Sequence, residues 1–247
     1  MELPSKKIKA TNVNPKSMII YSQPKIGKTT LLAQLEDNLL IDLEKGTRYI
    51  DALKVEINTY EELAALLKQL TELKEKEGKL PYKMVTVDTV SKLEDLVMPL
   101  AIIMYKKTPM GKAYAGNDIT TLPNGAGYKY LRDSMNKISD ILQNLFEYVI
   151  FVAHLKDKSI TKEGSEITAK DIALTGKMAT ILPANVDAVG FLHRDRKGNL
   201  LLDFRGGDDI VAGARPPHLK GQDLQIATYN KEDDSITYHW EKVFLKD

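Results

Sequence analysis

An α/β fold, a mostly parallel sheet with helices on both faces and a β-hairpin extension near the C-terminus, is predicted for this 247-residue chain by three observations. Short apolar runs alternate with helical patterns, which is how parallel sheets are built. One helical pattern carries leucines at spacings of three and four. Two further segments read as hairpins in the second half.

Taken in order, Ser17 to Tyr21 is the first strand and Thr29 to Glu36 the first helix, followed by a second strand over Asn38 to Asp42. Tyr60 to Glu77 is helical, its apolar stripe made by Leu63, Leu66, Leu67, Leu70 and Leu73. Thr59 with Glu62 forms a capping-box pattern at its start. Lys83 to Asp88 is a third strand, and a helix follows from about Ser91. From Tyr105 to Gly127 the pattern dissolves into Gly, Pro, Asn and Lys, a loop of the length that is usually functional or mobile. Helical periodicity returns over Tyr128 to Phe146, and Tyr148 to Ala153 is a β-branched strand. Lys156 to Asp171 reads as a polar hairpin turning at Glu163-Gly164. Val186 to His193 and Asn199 to Arg205 form a second hairpin through Asp195 to Gly198, and the tail after Pro217 is strand-rich.

The length suits one α/β domain with some decoration, large enough to bury roughly 70–75% of its unfolded surface. A formal net charge of +1 confines any polyanion site to a local patch. The absence of cysteine excludes disulfides, iron–sulfur clusters and thiolate zinc sites, and fits a reducing cytosol. Met1 to Asn14 has no apolar core of signal-peptide length. The most apolar stretch, Val97 to Met104, is far short of the roughly 20 residues that span a bilayer. The expectation is a cytoplasmic protein with no membrane partner.

Chemistry concentrates at Ser22-Gln23-Pro24-Lys25-Ile26-Gly27-Lys28-Thr29, between the first strand and helix. This is the P-loop pattern, with Ser22 in place of the usual first glycine. Gly27 lets backbone N–H groups approach phosphate closely. Lys28 would reach the β/γ-phosphates and the Thr29 hydroxyl would sit on Mg²⁺, with Thr30 beside it. Asp88 ends a strand, where a carboxylate points into the ligand crevice and can order Mg²⁺. Its alternative role is to cap the following helix. Glu44, in Asp42-Leu43-Glu44, is the candidate for activating water; a plain surface acid is the other reading.

Together these residues resemble the RecA superfamily of P-loop ATPases. The resemblance implies a RecA-like ATPase core over 17–215, preceded by an extension over 1–16 and followed by one over 216–247 packed on the core. It implies ATP and Mg²⁺ as cofactors, Glu44 as catalytic base, and His154, at the end of Val149 to Ala153, as sensor of the γ-phosphate where the family commonly has glutamine. Phe204-Arg205-Gly206-Gly207-Asp208 and Ala212-Gly213-Ala214-Arg215 are similar to a late segment of related RadA-type proteins, which makes Arg215 the candidate finger reaching a neighbouring subunit's nucleotide. The compact size looks more like phage-encoded Sak-type single-strand annealing ATPases than bacterial RecA, and this implies a host bacterial cytoplasm.

Between Tyr105 and Arg132, basic Lys106, Lys107, Lys112, Lys129 and Arg132 alternate with Tyr114, Tyr128 and Tyr130, with Asp118 the one acid. A positive groove with aromatic platforms suits single-stranded DNA, each stacked base contributing about 1–3 kcal/mol; a solvated loop with core-packed tyrosines is the alternative. Lys156, Lys158 and Lys162 on the hairpin after His154 would form a second DNA loop. The function expected is ATP-dependent single-strand DNA annealing or strand exchange by a homo-oligomeric ring or filament, with a single-strand-binding protein as a further partner. Alternatives are an AAA-type loader or remodeller in replication, and a nucleotide-gated module with little turnover.

Overall fold

The computed structural model describes residues 3, 5–162 and 165–246, without the side chains of 160–167. Its elements begin with β1 (Ser17–Ser22), α1 (Lys28–Leu32), β2 (Asn38–Asp42), β3 (Lys54–Glu56), α2 (Tyr60–Glu77) and β4 (Met84–Asp88). Then come α3 (Val90–Leu96), α4 (Met98–Lys106), α5 (Gly127–Leu145), β5 (Tyr148–Lys162), β6 (Ser165–Ile172) and α6 (Met178–Asn185). The chain finishes through β7 (Ala188–Arg194), β8 (Leu200–Asp203), β9 (Gly213–Ala214), β10 (Asp223–Asn230) and β11 (Ser235–Tyr238).

The sheet runs β11-β10-β8-β7-β1-β5-β4-β2-β3, with β6 paired to β5 and β9 to β7. From β7 to β3 every neighbouring pair is parallel; β8, β10 and β11 extend it antiparallel. Strand β5 lies between β1 and β4, and the register aligns Ser22 with His154, Asp88 with Val152, and Asp42 with Asp88. The C-terminal ends of four strands therefore meet along one edge, where open α/β sheets hold ligands.

Alternation along β1 and β5 feeds two cores. Ile19, Tyr21, Val149 and Phe151 face the layer of α2 to α6. Met18, Ile20, Ile150 and Val152 face Leu31 and Leu32 of α1, together with Leu219, Ile226, Trp240 and Val243 from the C-terminal segment. The Trp240 indole N–H donates to the Leu31 carbonyl at 3.1 Å, so the last turn of the chain seats on the helix that follows the P-loop.

Helix α2 is delimited as its sequence predicts. The Thr59 hydroxyl accepts from Glu62 N–H at 3.2 Å, while the Glu62 carboxylate accepts from Asn58 N–H at 2.6 Å and is lowered in pKa by that N–H and also by the Thr59 N–H. Gly78, at φ 76°, ends the helix with its N–H on the Lys74 carbonyl. Leu63, Leu67 and Leu70 are buried, each contributing about 1.5–3 kcal/mol by leaving water.

Four expectations are corrected. The first helix stops at Leu32 rather than Glu36, because Gln34 and Leu35 bond three residues back and tighten the last turn. Strand β3 and helix α6 were not expected: β3 has only three residues, and α6 contains Pro183. The strand from Tyr148 does not end at Ala153 but runs on to Lys162, antiparallel to β6; the turn expected at Glu163-Gly164 lies outside the described residues. The segment 107–126 holds 3₁₀ turns at Ile119–Thr121 and Pro123–Gly125, anchored by fully buried Ile119. Among the described residues no helix is long and apolar enough to cross a membrane.

Candidate functional site

Strand β1 delivers Ser22 to the sheet edge, and the chain then turns through Lys25 (φ 66°) and Gly27 (φ 107°) into α1. The left-handed backbone at Gly27 is one that a side chain would strain. Ser22, fully buried, fills the place of the usual glycine with a hydrogen-bonding group: its hydroxyl donates to the Gln23 carbonyl and accepts from Lys28 Nζ, both at 2.9 Å. Lys28 Nζ also donates to the Gln23 carbonyl at 3.2 Å. Burial pulls the Lys28 ammonium below its ordinary pKa, and the charges of Asp88 and Glu44 only partly oppose this. A buried cation in this state is stabilised by a bound anion.

One turn on, the Thr29 hydroxyl donates to Asp88 Oδ2 at 2.6 Å. Asp88 is 4% exposed. Burial raises its pKa, Thr29 opposes the rise, Glu44 and Asp42 add to it, and Lys28 opposes it. The charges of Glu44 and Asp42 both act on buried Asp88. The oxygen donors Thr29 and Asp88 are the hard ligands that Mg²⁺ takes, so the residues fit that ion. Helix capping, the alternative role for Asp88, falls to Thr89, whose hydroxyl accepts from Lys92 N–H at 3.5 Å.

That same Thr89 hydroxyl donates to Glu44 Oε1 at 2.8 Å. His154 Nε2 lies 3.1 and 3.2 Å from the two Glu44 oxygens. Its Nδ1 is buried and has no partner among the described residues. The carboxylate proposed to activate water is therefore held by the N-cap of α3 and by β5, which continues into the β5–β6 hairpin. Pro24, Lys25, Gly27, Lys28, Thr29, Thr30, Glu44, Asp88 and His154 line one cavity of about 350 Å³. Gln23 and Ile26 stand in the loop behind it.

Glu44 owes its position to Asp42, to which the sequence alone assigned no role. Asp42 Oδ1 accepts from the N–H groups of Glu44 and Gly46, and Oδ2 from the N–H and hydroxyl of Thr47, at 2.6–3.2 Å. Burial works against the charged carboxyl, but the Thr47, Gly46 and Glu44 hydrogen bonds prevail and hold its pKa below the ordinary range. A folded-state pKa below the unfolded one means that this stabilisation is complete above the ordinary carboxylate range. It is lost as pH falls through the lowered value. Asp42→Ala is expected to cost about 3 kcal/mol, since buried N–H groups lose a charged acceptor. Calorimetry should then show melting lower by roughly 6–12 °C; a parent-like melting curve would refute the role.

Another residue missed in the sequence is Arg194, at the end of β7. Its Nη2 donates to the Ile26 carbonyl at 3.0 Å and its Nη1 to the Gly198 carbonyl at 2.8 Å. The pattern of the β7–β8 hairpin was legible, but the adjacency of β7 to β1 was not.

The remaining candidates lie away from this cavity. Arg215 follows β9 at the opposite end of β7 and pairs with Asp187 at 3.0 Å and the Ala184 carbonyl at 2.7 Å. Lys106, Lys107 and Lys112 are exposed. Tyr114 is not an open platform: its ring meets Tyr105 edge-on at 5.5 Å and its hydroxyl donates to the Asp118 carbonyl at 2.6 Å. Tyr130 packs on Tyr105 as well, which leaves Tyr128 as the exposed ring. Lys129 is paired with Asp133 at 2.8 Å. Lys156 and Lys158 are exposed on β5, with Lys158 4.0 Å from Asp171; the side chain of Lys162 lies outside the described residues.

A family model described as an AAA domain matches residues 14–216, from just before β1 through Pro216. No curated protein matches the chain.

Proposed function

We propose that this chain, which belongs to the AAA domain family, is a Mg²⁺-dependent ATPase of RecA-like, Sak-type character that binds single-stranded DNA as a homo-oligomer and promotes annealing or strand exchange. The observation that carries the reading is the placement of Glu44, pinned between Thr89 and His154 beside the Thr29–Asp88 pair and buried Lys28. These are the parts that phosphoryl transfer to water needs: an anion cradle, oxygens for a metal, and an oriented carboxylate. Mg²⁺, when bound, supplies neutralisation of the phosphate charge. Lys28 holds the phosphates, Thr29 and Asp88 orient the metal, and Glu44 takes a proton from the attacking water.

His154 favours coupling to DNA. It touches Glu44 and begins the stretch of β5 that carries Lys156 and Lys158, so a change in nucleotide state at Glu44 has a continuous strand to act on. Lys106, Lys107, Lys112 and Tyr128 form the second DNA-facing set, and Arg215 would have to leave Asp187 and the Ala184 carbonyl to reach a neighbouring subunit's nucleotide. A phage source, a host bacterial cytoplasm and an accompanying single-strand-binding protein belong to the same reading. The family description also favours a second one, an AAA-type loader acting on a protein.

Fluorescence anisotropy with a labelled oligonucleotide separates the two. The DNA reading expects binding that strengthens with Mg-ATP and falls steeply with salt. Charge reversal at Lys106, Lys107 and Lys112 should lower the salt slope by about 0.7 for each phosphate that is no longer neutralised. No binding at low salt with Mg-ATP present would leave the loader.

A further inference from the structure

We infer that Arg194 is a positioning residue that aims the Gly27 N–H at the bound phosphates. In a trans peptide the carbonyl and the following N–H point in opposite directions. The Ile26 carbonyl is drawn out of the site by Arg194 Nη2 at 3.0 Å, so the N–H of Gly27, in the same peptide, turns toward the cavity that Gly27 lines. Among the described residues no acceptor is in hydrogen-bonding range of that N–H, and an unmatched donor facing a phosphate pocket is an anion-binding group.

The arrangement is fixed at both ends. The other guanidinium nitrogen holds the Gly198 carbonyl, and Asp195 stiffens the β7–β8 turn by accepting from the N–H groups of Lys197 and Asn199 at 2.8 and 2.9 Å. Gly27 sits against the guanidinium, where a Cβ would be in ordinary contact range of Arg194 Nη2, and its φ of 107° is what disfavours a side chain there. Among the described residues no carboxylate pairs with Arg194; both its bonds go to carbonyls. Its role is thus to hold a peptide plane, across 168 residues of sequence.

This inference rests on the phosphate-binding reading of the P-loop, and the experiment separates the two. Mg-ADP titrations compare the parent, Arg194→Ala, Arg194→Lys and Lys28→Ala, in dilute buffer and in about 1 M salt, where the Debye length is about 3 Å. Arg194→Ala is expected to bind about tenfold more weakly. The ratio should persist in high salt, because orientation is not screened. Arg194→Lys, which keeps one donor, should recover most of the loss. In the ¹⁵N-resolved spectrum of the parent the Gly27 amide should shift strongly downfield on binding, and weakly in Arg194→Ala. A ratio that collapses to one in high salt, or a Gly27 resonance that does not move in the parent, overturns the inference. Should Arg194→Ala fail to fold, the parent Gly27 resonance and Arg194→Lys decide it. A parent that binds no Mg-ADP overturns the P-loop reading itself. A parent that binds, with Lys28→Ala deficient and Arg194→Ala normal, overturns only the inference.

Discussion

Lys28→Ala is expected to lower Mg-ATP affinity on the order of 100-fold and to abolish turnover with it. In the parent Lys28 is 7% exposed and its ammonium rests on two oxygens of the loop, Ser22 Oγ and the Gln23 carbonyl. Neither is charged, and burial drives the group toward losing its proton. A polyphosphate reverses that balance by placing opposite charge against an already desolvated cation, where removing one partner costs about 2–5 kcal/mol. About 2.8 kcal/mol, in the lower half of that range, corresponds to roughly 100-fold in Kd. Isothermal titration with Mg-ATP checks it. Melting without nucleotide is expected to hold or rise slightly in the variant, because an unpaired buried cation is removed. Binding at the parent's affinity would show that the loop is only a strand-to-helix connection, and the DNA reading would fall with it.

How much of this was legible before folding differs from element to element. Strands β2 and β4 and helix α2 were readable because their burial is local in origin: two apolar strand runs, and a leucine stripe with Thr59 and Gly78 at its ends. Strand β3 and helix α6 carry no such signal. One is three residues of which only Val55 is partly buried, and the other starts without a side-chain cap and contains a proline. The phosphate loop was legible as a contiguous motif. The hydrogen bonds that complete it were not, since Thr89 meets Glu44 across 45 residues, His154 across 110, and Arg194 reaches Ile26 across 168. Only the sheet order, with β5 and β7 flanking β1, brings them together. Asp42 was different. Its loop, with Gly46 and Thr47 four and five residues on, is an aspartate hydrogen-bonding its own following backbone, a turn signal present in the sequence. The tyrosines of the 105–130 region show the opposite failure. Their interleaving with lysine suggested stacking platforms, yet Tyr105, Tyr114 and Tyr130 pack on one another, because a long segment still needs rings to anchor it.

The second large effect is expected at Glu44, where binding and chemistry should part. Glu44→Gln keeps the shape of the side chain: the amide oxygen can still accept from Thr89, and the amide nitrogen can donate to His154 Nε2 once the ring proton moves to Nδ1. Glu44 is no hydrogen-bond partner of Lys28, Ser22, Thr29 or Asp88 and acts on Lys28 and Asp88 only through its charge, so Mg-ATP affinity should stay within a few-fold of the parent. Basicity is what disappears, and a positioned general base contributes about 10²–10⁴-fold. Single-turnover phosphate release should therefore slow by that factor while the same protein still saturates with nucleotide. His154 adds a second comparison, because its Nε2 faces a carboxylate, which favours the tautomer with the proton on Nε2, and its buried Nδ1 has no partner among the described residues. Such a histidine is placed to hold the base and to feel any change in it, but it has no second route for a proton. His154→Gln should consequently reduce turnover less than Glu44→Gln does. If Glu44→Gln and the parent release phosphate at equal rates, the carboxylate is a surface acid after all, and the chain is a nucleotide-gated module whose hydrolysis is incidental.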